Sequence, residues 1–385
     1  MLISLSYTII KIVMNTKRLE SLDILRGMDL FLLTVLGPVV SMVANTGDYS
    51  WESAVMPAFE HVEWEGFRLW DIIMPLFMFM SGITIPFSMA KYRQPDGNKA
   101  KAYGRIARRV VLLWICGMIV QGNLLGLEWQ HVRFFSNTLQ AIAVGYLVSS
   151  IAFLNSKPRT HLILAAALLA AYWALMMFVG GGDFTPQGNL CEKVDCAVLG
   201  IHRDAARLAD DGSIVFPAWY TYTWIVSSLT FAATVLSGML AGELLKSKRS
   251  EKSKVLTLLI GGAAMVAVGW LWNLQMPVIK HIWTSSMVLV ASGYSFLALA
   301  VVYFIVDVRK KGRWLNWLKV FGMNSIAAYM MAEFLRFDSI PQSIFYGLHH
   351  YVGDDWYRCI IGLGSIAVMW GILYALYKRR VFIRL

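Results

Sequence analysis

The chain has 385 residues, 57% hydrophobic and only 15% charged, with a mean hydropathy of +0.56. A water-soluble domain needs more polar surface than that, and 20 Met, 20 Phe and 15 Trp exceed what one soluble core uses. The net charge of +11 would suit a nucleic-acid partner, but its placement along the chain argues against one.

A bilayer crossing takes roughly 20 predominantly apolar residues, and about ten such runs stand out. They cover 24–44, 67–89, 106–125, 139–154, 161–179, 218–245, 255–274, 281–306, 318–335 and 358–377. The predicted fold is an all-α polytopic membrane helix bundle of about ten transmembrane helices. Ahead of the first run, "MLISLSYTIIKIV" (1–13) is a short amphipathic start without a small-residue cleavage site. It reads as an interfacial segment, or a misassigned start upstream of Met14, rather than a signal peptide. Residues 1–17 are taken as this N-terminal segment and 18–385 as one transmembrane domain.

Lys and Arg gather in alternate connections: Lys17 and Arg18, the 91–109 stretch, Lys157 and Arg159, "KSKRSEKSK" (246–254), "RKKGR" (309–313) and "KRR" (378–380). The connections between them are acidic or mixed. By the positive-inside rule both termini face the cytoplasm and His61 faces the opposite side. The expected location is multi-pass in a membrane, the bacterial cytoplasmic (inner) membrane, with the lipid bilayer as the first partner. Trp-rich and Met-rich faces would also suit a homodimer.

Ionisable side chains inside spans are costly and mark candidate functional groups. In "SLDILRGMDL", Asp23, Arg26 and Asp29 read as an ion pair pinning the first helix, or as Arg26 set against a ligand phosphate. Glu243 and Glu333 fall near helix ends. The stretch "HVEWEGFRLWDIIMPLFMFMSG" (61–82) carries His61 and, ten residues on, Asp71. On one continuous helix these would stand roughly 15 Å apart along the axis. If the helix starts near Gly66 and the preceding segment folds back, the imidazole can meet the carboxylate. An acid on one ring nitrogen fixes the tautomer and raises the basicity of the other. Residues 180–217, too short for a core of their own, read as a lid over the outward mouth. Cys191 and Cys196 within them suggest a disulfide in an oxidising compartment, with a metal pair as the weaker alternative.

"RLESLDILRG", "HVEWEGFRLWDIIMPLFMFMSGITIPFS", "MPVIKHIWTSSMVL" and "GMNSIAAYMMAEF" resemble the transmembrane acetyltransferase family of heparan-α-glucosaminide N-acetyltransferase and its bacterial relatives. The resemblance runs from about Arg18 to Glu333, with the motifs in family order. It implies an enzyme that takes acetyl from cytosolic acetyl-CoA and passes it to the amine of a terminal glucosamine on the far side, without a metal. By the same resemblance His61 is the catalytic histidine, Asp71 its following acid and Asn324 the Asn of "GMNS". Glu63, Trp64, Lys280 and Trp283 become substrate-binding candidates.

Acyl transfer needs a base for the acceptor proton, a donor for the charge developing on the thioester carbonyl, and exclusion of water. Histidine suits the first role at neutral pH, as base or as a transient acetyl carrier. Asn324 would serve as the carbonyl donor or as an interhelical hydrogen bond. CoA is polyanionic, so Arg26, Arg105, Arg108 and Arg109 at the cytoplasmic end are the candidates to hold it. O-acetylation of an envelope glycan and a non-catalytic sugar transporter are the alternatives. A transporter would show broken helices and charges at mid-membrane.

Overall fold

The computed structural model describes residues 19–121 and 128–383. The expected segment 1–17, Arg18 and the 122–125 end of the third expected span lie outside the described residues. Besides a single helical turn at Glu52–Val55, the helices are α1 (Glu20–Ala44), α2 (Leu69–Tyr92), α3 (Lys99–Val120), α4 (Thr138–Asn155), α5 (Pro158–Val179), α6 (Leu190–Leu199) and α7 (Ser228–Lys246). They continue as α8 (Glu251–Trp272), α9 (Ser285–Val308), α10 (Lys319–Gly322), α11 (Ser325–Phe334), α12 (Ser339–Phe345) and α13 (Asp354–Lys378). One antiparallel pair, β1 (Arg207–Leu208) and β2 (Ile214–Val215), sits in the long connection before α7.

Among the described residues, eight helices are long and apolar enough to cross a membrane: α1, α2, α4, α5, α7, α8, α9 and α13. The chain is therefore an all-α polytopic membrane protein. The two other expected spans differ for local reasons. In α3 the arginines at 105, 108 and 109 dilute the apolar run. The expected 318–335 span is broken into α10 and α11, because Asn324 leaves helical geometry at φ −121°. Its side chain then ties down the chain terminus: Asn324 Nδ2 donates to the Val381 carbonyl (3.1 Å) and its Oδ1 accepts from Ile383 N (2.9 Å).

The two ends of the bundle differ in chemistry. At one, the basic connections are stitched together by Lys319 on Glu20 (2.7 Å), Lys246 on the Pro86 carbonyl (2.9 Å) and Arg93 on the Ser156 carbonyl (2.6 Å). At the other lie the 61–71 segment, the start of α4, the 180–224 connection and the turn before α9. The cap of α4 shows why that end is ordered. Asn137 Oδ1 accepts from Leu139 N (2.9 Å), while Gln140 Oε1 accepts from Ser136 N and Asn137 N (2.8 and 3.1 Å). Donors that a helix start leaves open are thereby satisfied.

The expected disulfide is not formed. Cys191 and Cys196 are both free thiols, because five residues apart on α6 they project to different sides of the helix. Cys191 is buried against Tyr172 (3.2 Å) and Met176 (3.6 Å), and Cys196 donates to Glu192 (3.2 Å). Burial pushes each thiol up to about 12.

Helices α2 and α7 pack backbone to backbone. A Cβ on Gly82 would stand 2.0 Å from the Val235 carbonyl oxygen, and one on Gly238 2.0 Å from that of Phe79. Both receiving atoms are backbone, so neither can swing aside. Gly238→Val should therefore cost about 3 kcal/mol or more, the upper range for overpacking. A thermal-unfolding midpoint within a degree of the wild type would disprove this seam.

Candidate active site

The 61–68 segment folds back at the helix mouth, and local chemistry shows how. Gly66 adopts φ +118°, a conformation that residues with a Cβ rarely hold. Its N–H donates to the Val278 carbonyl (2.8 Å), and Glu65 bridges Ile279 in antiparallel fashion. Trp64 Nε1 donates to the Phe184 carbonyl (2.9 Å) and its ring meets the His281 ring edge-on at 5.5 Å. The strand-like contact sets residue 280 beside residue 61. Asp71 sits at the third position of the short 3₁₀ turn Leu69–Ile72 that opens α2, where its Oδ2 accepts from Arg68 N (2.9 Å).

Three side chains converge there. His61 Nδ1 lies 2.8 Å from Asp71 Oδ1, and Lys280 Nζ lies 3.0 Å from His61 Nδ1 and 3.4 Å from Asp71 Oδ1. The Asp71 and Lys280 side chains are 1% and 7% exposed, whereas His61 keeps 42%. A carboxylate only accepts, so the 2.8 Å contact assigns the proton to Nδ1. The Lys280 ammonium cannot bond that N–H, so it pairs with Asp71 and lies against the ring edge. Nε2, across the ring, is then the basic nitrogen. Burial lowers Lys280 to about 8, against the opposing pull of Asp71.

The turn that carries Lys280 is rigid. Trp283 is held at φ +51°, a left-handed conformation costing about 1–2 kcal/mol for a residue with a Cβ. Its indole donates to Thr234 Oγ1 (3.0 Å) and meets Phe231 edge-on at 5.1 Å. Thr284 Oγ1 accepts from Ile279 N (3.1 Å) and donates to the Pro277 carbonyl (2.8 Å). Trp283 is thus buried packing that positions Lys280.

His61 and Lys280 line a cavity of about 290 Å³. Its wall includes Leu33, Trp70, Met74, Phe77, Asn137, Tyr222, Trp224 and Tyr329, and two further carboxylates, Asp204 and Glu333. Asp204 comes from the 180–217 connection expected to act as a lid. Asn137 Nδ2 approaches the Tyr329 hydroxyl at 3.5 Å. Reading by motif passed over Asn137, Asp204, Tyr222 and Tyr329. Only Glu333 had left a trace, as an acid within an expected span.

Other expected site residues are placed elsewhere. Glu63, Trp64 and Trp283 do not line the cavity, since Glu63 is exposed and both indoles are engaged as described. Asn324 is not brought to His61, its carboxamide being taken by residues 381–383. Gly322 packs on the Asp23 backbone, which puts the break at the basic end. Arg26 pairs with Asp23 (3.8 Å), Arg105 donates to the Tyr92 hydroxyl (3.1 Å) and Arg109 stacks on Tyr146 at 4.2 Å. Arg108 is exposed. None of these four arginines lines the His61 cavity.

A membrane-length helix bundle with a carboxylate-oriented histidine over a cavity at one mouth defines an integral membrane protein with a candidate acid–base centre. No family model matches the chain. It is 26% identical over 370 residues to heparan-alpha-glucosaminide N-acetyltransferase of Homo sapiens, covering 82% of this chain and 53% of the relative. To the Mus musculus protein of the same name it is 23% identical over 420 aligned positions, covering 96% and 60%. The chain thus spans little more than half the length of these curated relatives. Over most of its length the chain is thus similar, at 23–26% identity, to heparan-alpha-glucosaminide N-acetyltransferases.

Proposed function

We propose that the chain is an acetyltransferase that moves acetyl from cytosolic acetyl-CoA to the amine of a glucosamine-type sugar at the outer mouth of the bundle, in the bacterial cytoplasmic membrane. The contact that carries this reading is His61 Nδ1 on Asp71 at 2.8 Å, beside a cavity that His61 lines. With Nδ1–H held by the carboxylate, Nε2 takes the proton from the acceptor amine as its nitrogen attacks the thioester carbonyl. The C–S bond breaks, and His61 returns that proton to the departing thiolate. Atoms balance as one amide and one CoA thiol. The negative charge developing on the carbonyl oxygen needs a donor in the cavity. Lys280 and Asn137 line it, and take the role first expected of Asn324. Glu333 and Asp204 supply acceptors for an amino sugar's N–H and O–H groups, and the aromatic wall supplies faces for its C–H edges. The acetyl donor's phosphates fall to the arginines of the basic end.

The test is purified protein with labelled acetyl-CoA, with and without glucosamine. N-acetylated sugar and one free thiol per acetyl should form together; CoA release that ignores the sugar would count against an amine acceptor. The pH profile carries a second signature. Below about 8 Lys280 is an ammonium that donates to Asp71. Above it, the neutral amine can accept from Nδ1–H and draw the ring from Asp71. The alkaline limb of kcat/KM should therefore centre near pH 8, and Lys280→Arg, which stays charged, should move it up by at least about one unit. Stability runs oppositely. Folded Lys280 releases its proton more readily than the unfolded chain, so between about 8 and 10.5 stability rises with pH while activity falls. An alkaline limb unmoved by Lys280→Arg would remove Lys280 from this role.

A further inference from the structure

A second hollow lies on the other side of the α2 start. It is a groove of about 500 Å³ between α1, α2 and α9, walled by Met28, Ile72, Leu297 and Val301, with Phe67 and Tyr294 stacked at 5.6 Å near its head. From Tyr294 to Val302 it follows α9 for roughly 12 Å, at 1.5 Å per residue. Among the described residues its one charged lining residue is Arg68, at the outer end. The Arg68 side chain is 41% exposed and meets Glu60, itself 55% exposed, only at 3.7 Å. A chain-shaped apolar trough with a cation at its head is complementary to a hydrocarbon tail that ends in a phosphate.

The groove also adjoins the reaction centre. Arg68 N–H bonds the same Asp71 carboxylate that orients His61. On the turn opening α2, Leu69 and Ile72 face the groove, whereas Trp70, Ile73 and Met74 face the cavity. A group tethered by a phosphate at Arg68 need only pass over the helix start to reach Nε2.

We propose that the acceptor sugar is presented on a lipid, with the lipid chain in this groove and the linking phosphate on Arg68. This rests on the acetyltransferase reading and narrows its acceptor to a phosphate-linked glycolipid. The acceptor would then arrive along the bilayer rather than from solution.

The experiment compares kcat/KM of the full purified chain for free glucosamine and for glucosamine joined through a phosphodiester to a long alkyl chain. The lipid-linked acceptor should be favoured at least about tenfold, a difference of ~1.4 kcal/mol. Arg68→Gln and Val301→Trp should each cut that preference several-fold, and an alkyl phosphate without sugar should compete with the lipid-linked acceptor alone. Equal use of both acceptors would overturn the proposal. So would a preference that neither variant moves, including the case in which Val301→Trp merely separates a dimer or displaces ordinary bilayer lipid. Acetylation of neither acceptor would instead strike the acetyltransferase reading on which the proposal stands.

Discussion

His61→Ala should lower acetyl transfer to the sugar about a thousandfold, within the range that a positioned general base contributes. The side chain is 42% exposed and fills no part of the apolar core, so folding should hardly change. The variant should elute and unfold as the wild type does while its initial rate collapses. A rate within tenfold of wild type would take the imidazole out of the chemistry. Labelling after denaturation separates the two routes open to His61. Acetyl retained on wild-type protein and absent from the variant would assign a covalent acetyl-imidazole instead of direct transfer.

Asp71→Asn should damage both rate and stability, and that pairing distinguishes it from His61→Ala. The carboxylate accepts from His61, Lys280 and Arg68 N, with Val62 N at 3.5 Å. A carboxamide has one acceptor oxygen, and its NH₂ would point at a donor. The ring loses the partner that holds Nδ1–H, a change that costs around 10⁴ in rate where a histidine base depends on it. The Lys280 ammonium, 7% exposed, is left without its counter-charge. Breaking such a buried pair costs about 3–5 kcal/mol. The variant should therefore unfold many degrees earlier as well as lose activity. Adding Lys280→Met should restore much of the stability and none of the rate, since the lone buried charge goes but the ring stays unoriented. Wild-type stability in Asp71→Asn alone would show that the carboxylate is not the counter-charge of Lys280.

Much of this was legible in the chain, for identifiable reasons. Hydropathy marks α1, α2, α4, α5, α7–α9 and α13 because an apolar run of that length has few uses outside a bilayer. Gly66 signalled where the chain reverses ahead of α2, and so how His61 could reach Asp71. Lys280 was legible only as a motif member. Its contact with Asp71 spans 209 residues and depends on the pairing of Glu65 with Ile279, which no local pattern encodes. The break at Asn324 was hidden for a similar reason. An apolar run with one polar residue reads as continuous until the tail at 381–383 is seen to occupy the carboxamide. The cavity wall draws on seven separate stretches of chain, so Asn137, Asp204 and Tyr329 had no common signal to be read together.

The glycine seam between α2 and α7 bears on how a donor gets in. Main chain touching main chain leaves no gap wide enough for a pantetheine arm, so that flank acts as a sealed bulkhead from Phe79 to Ile83. On the proposed function, an acyl group loaded at the arginine-rich end would have to climb the opposite flank of α2, where Leu33, Phe77 and Tyr329 line the His61 chamber.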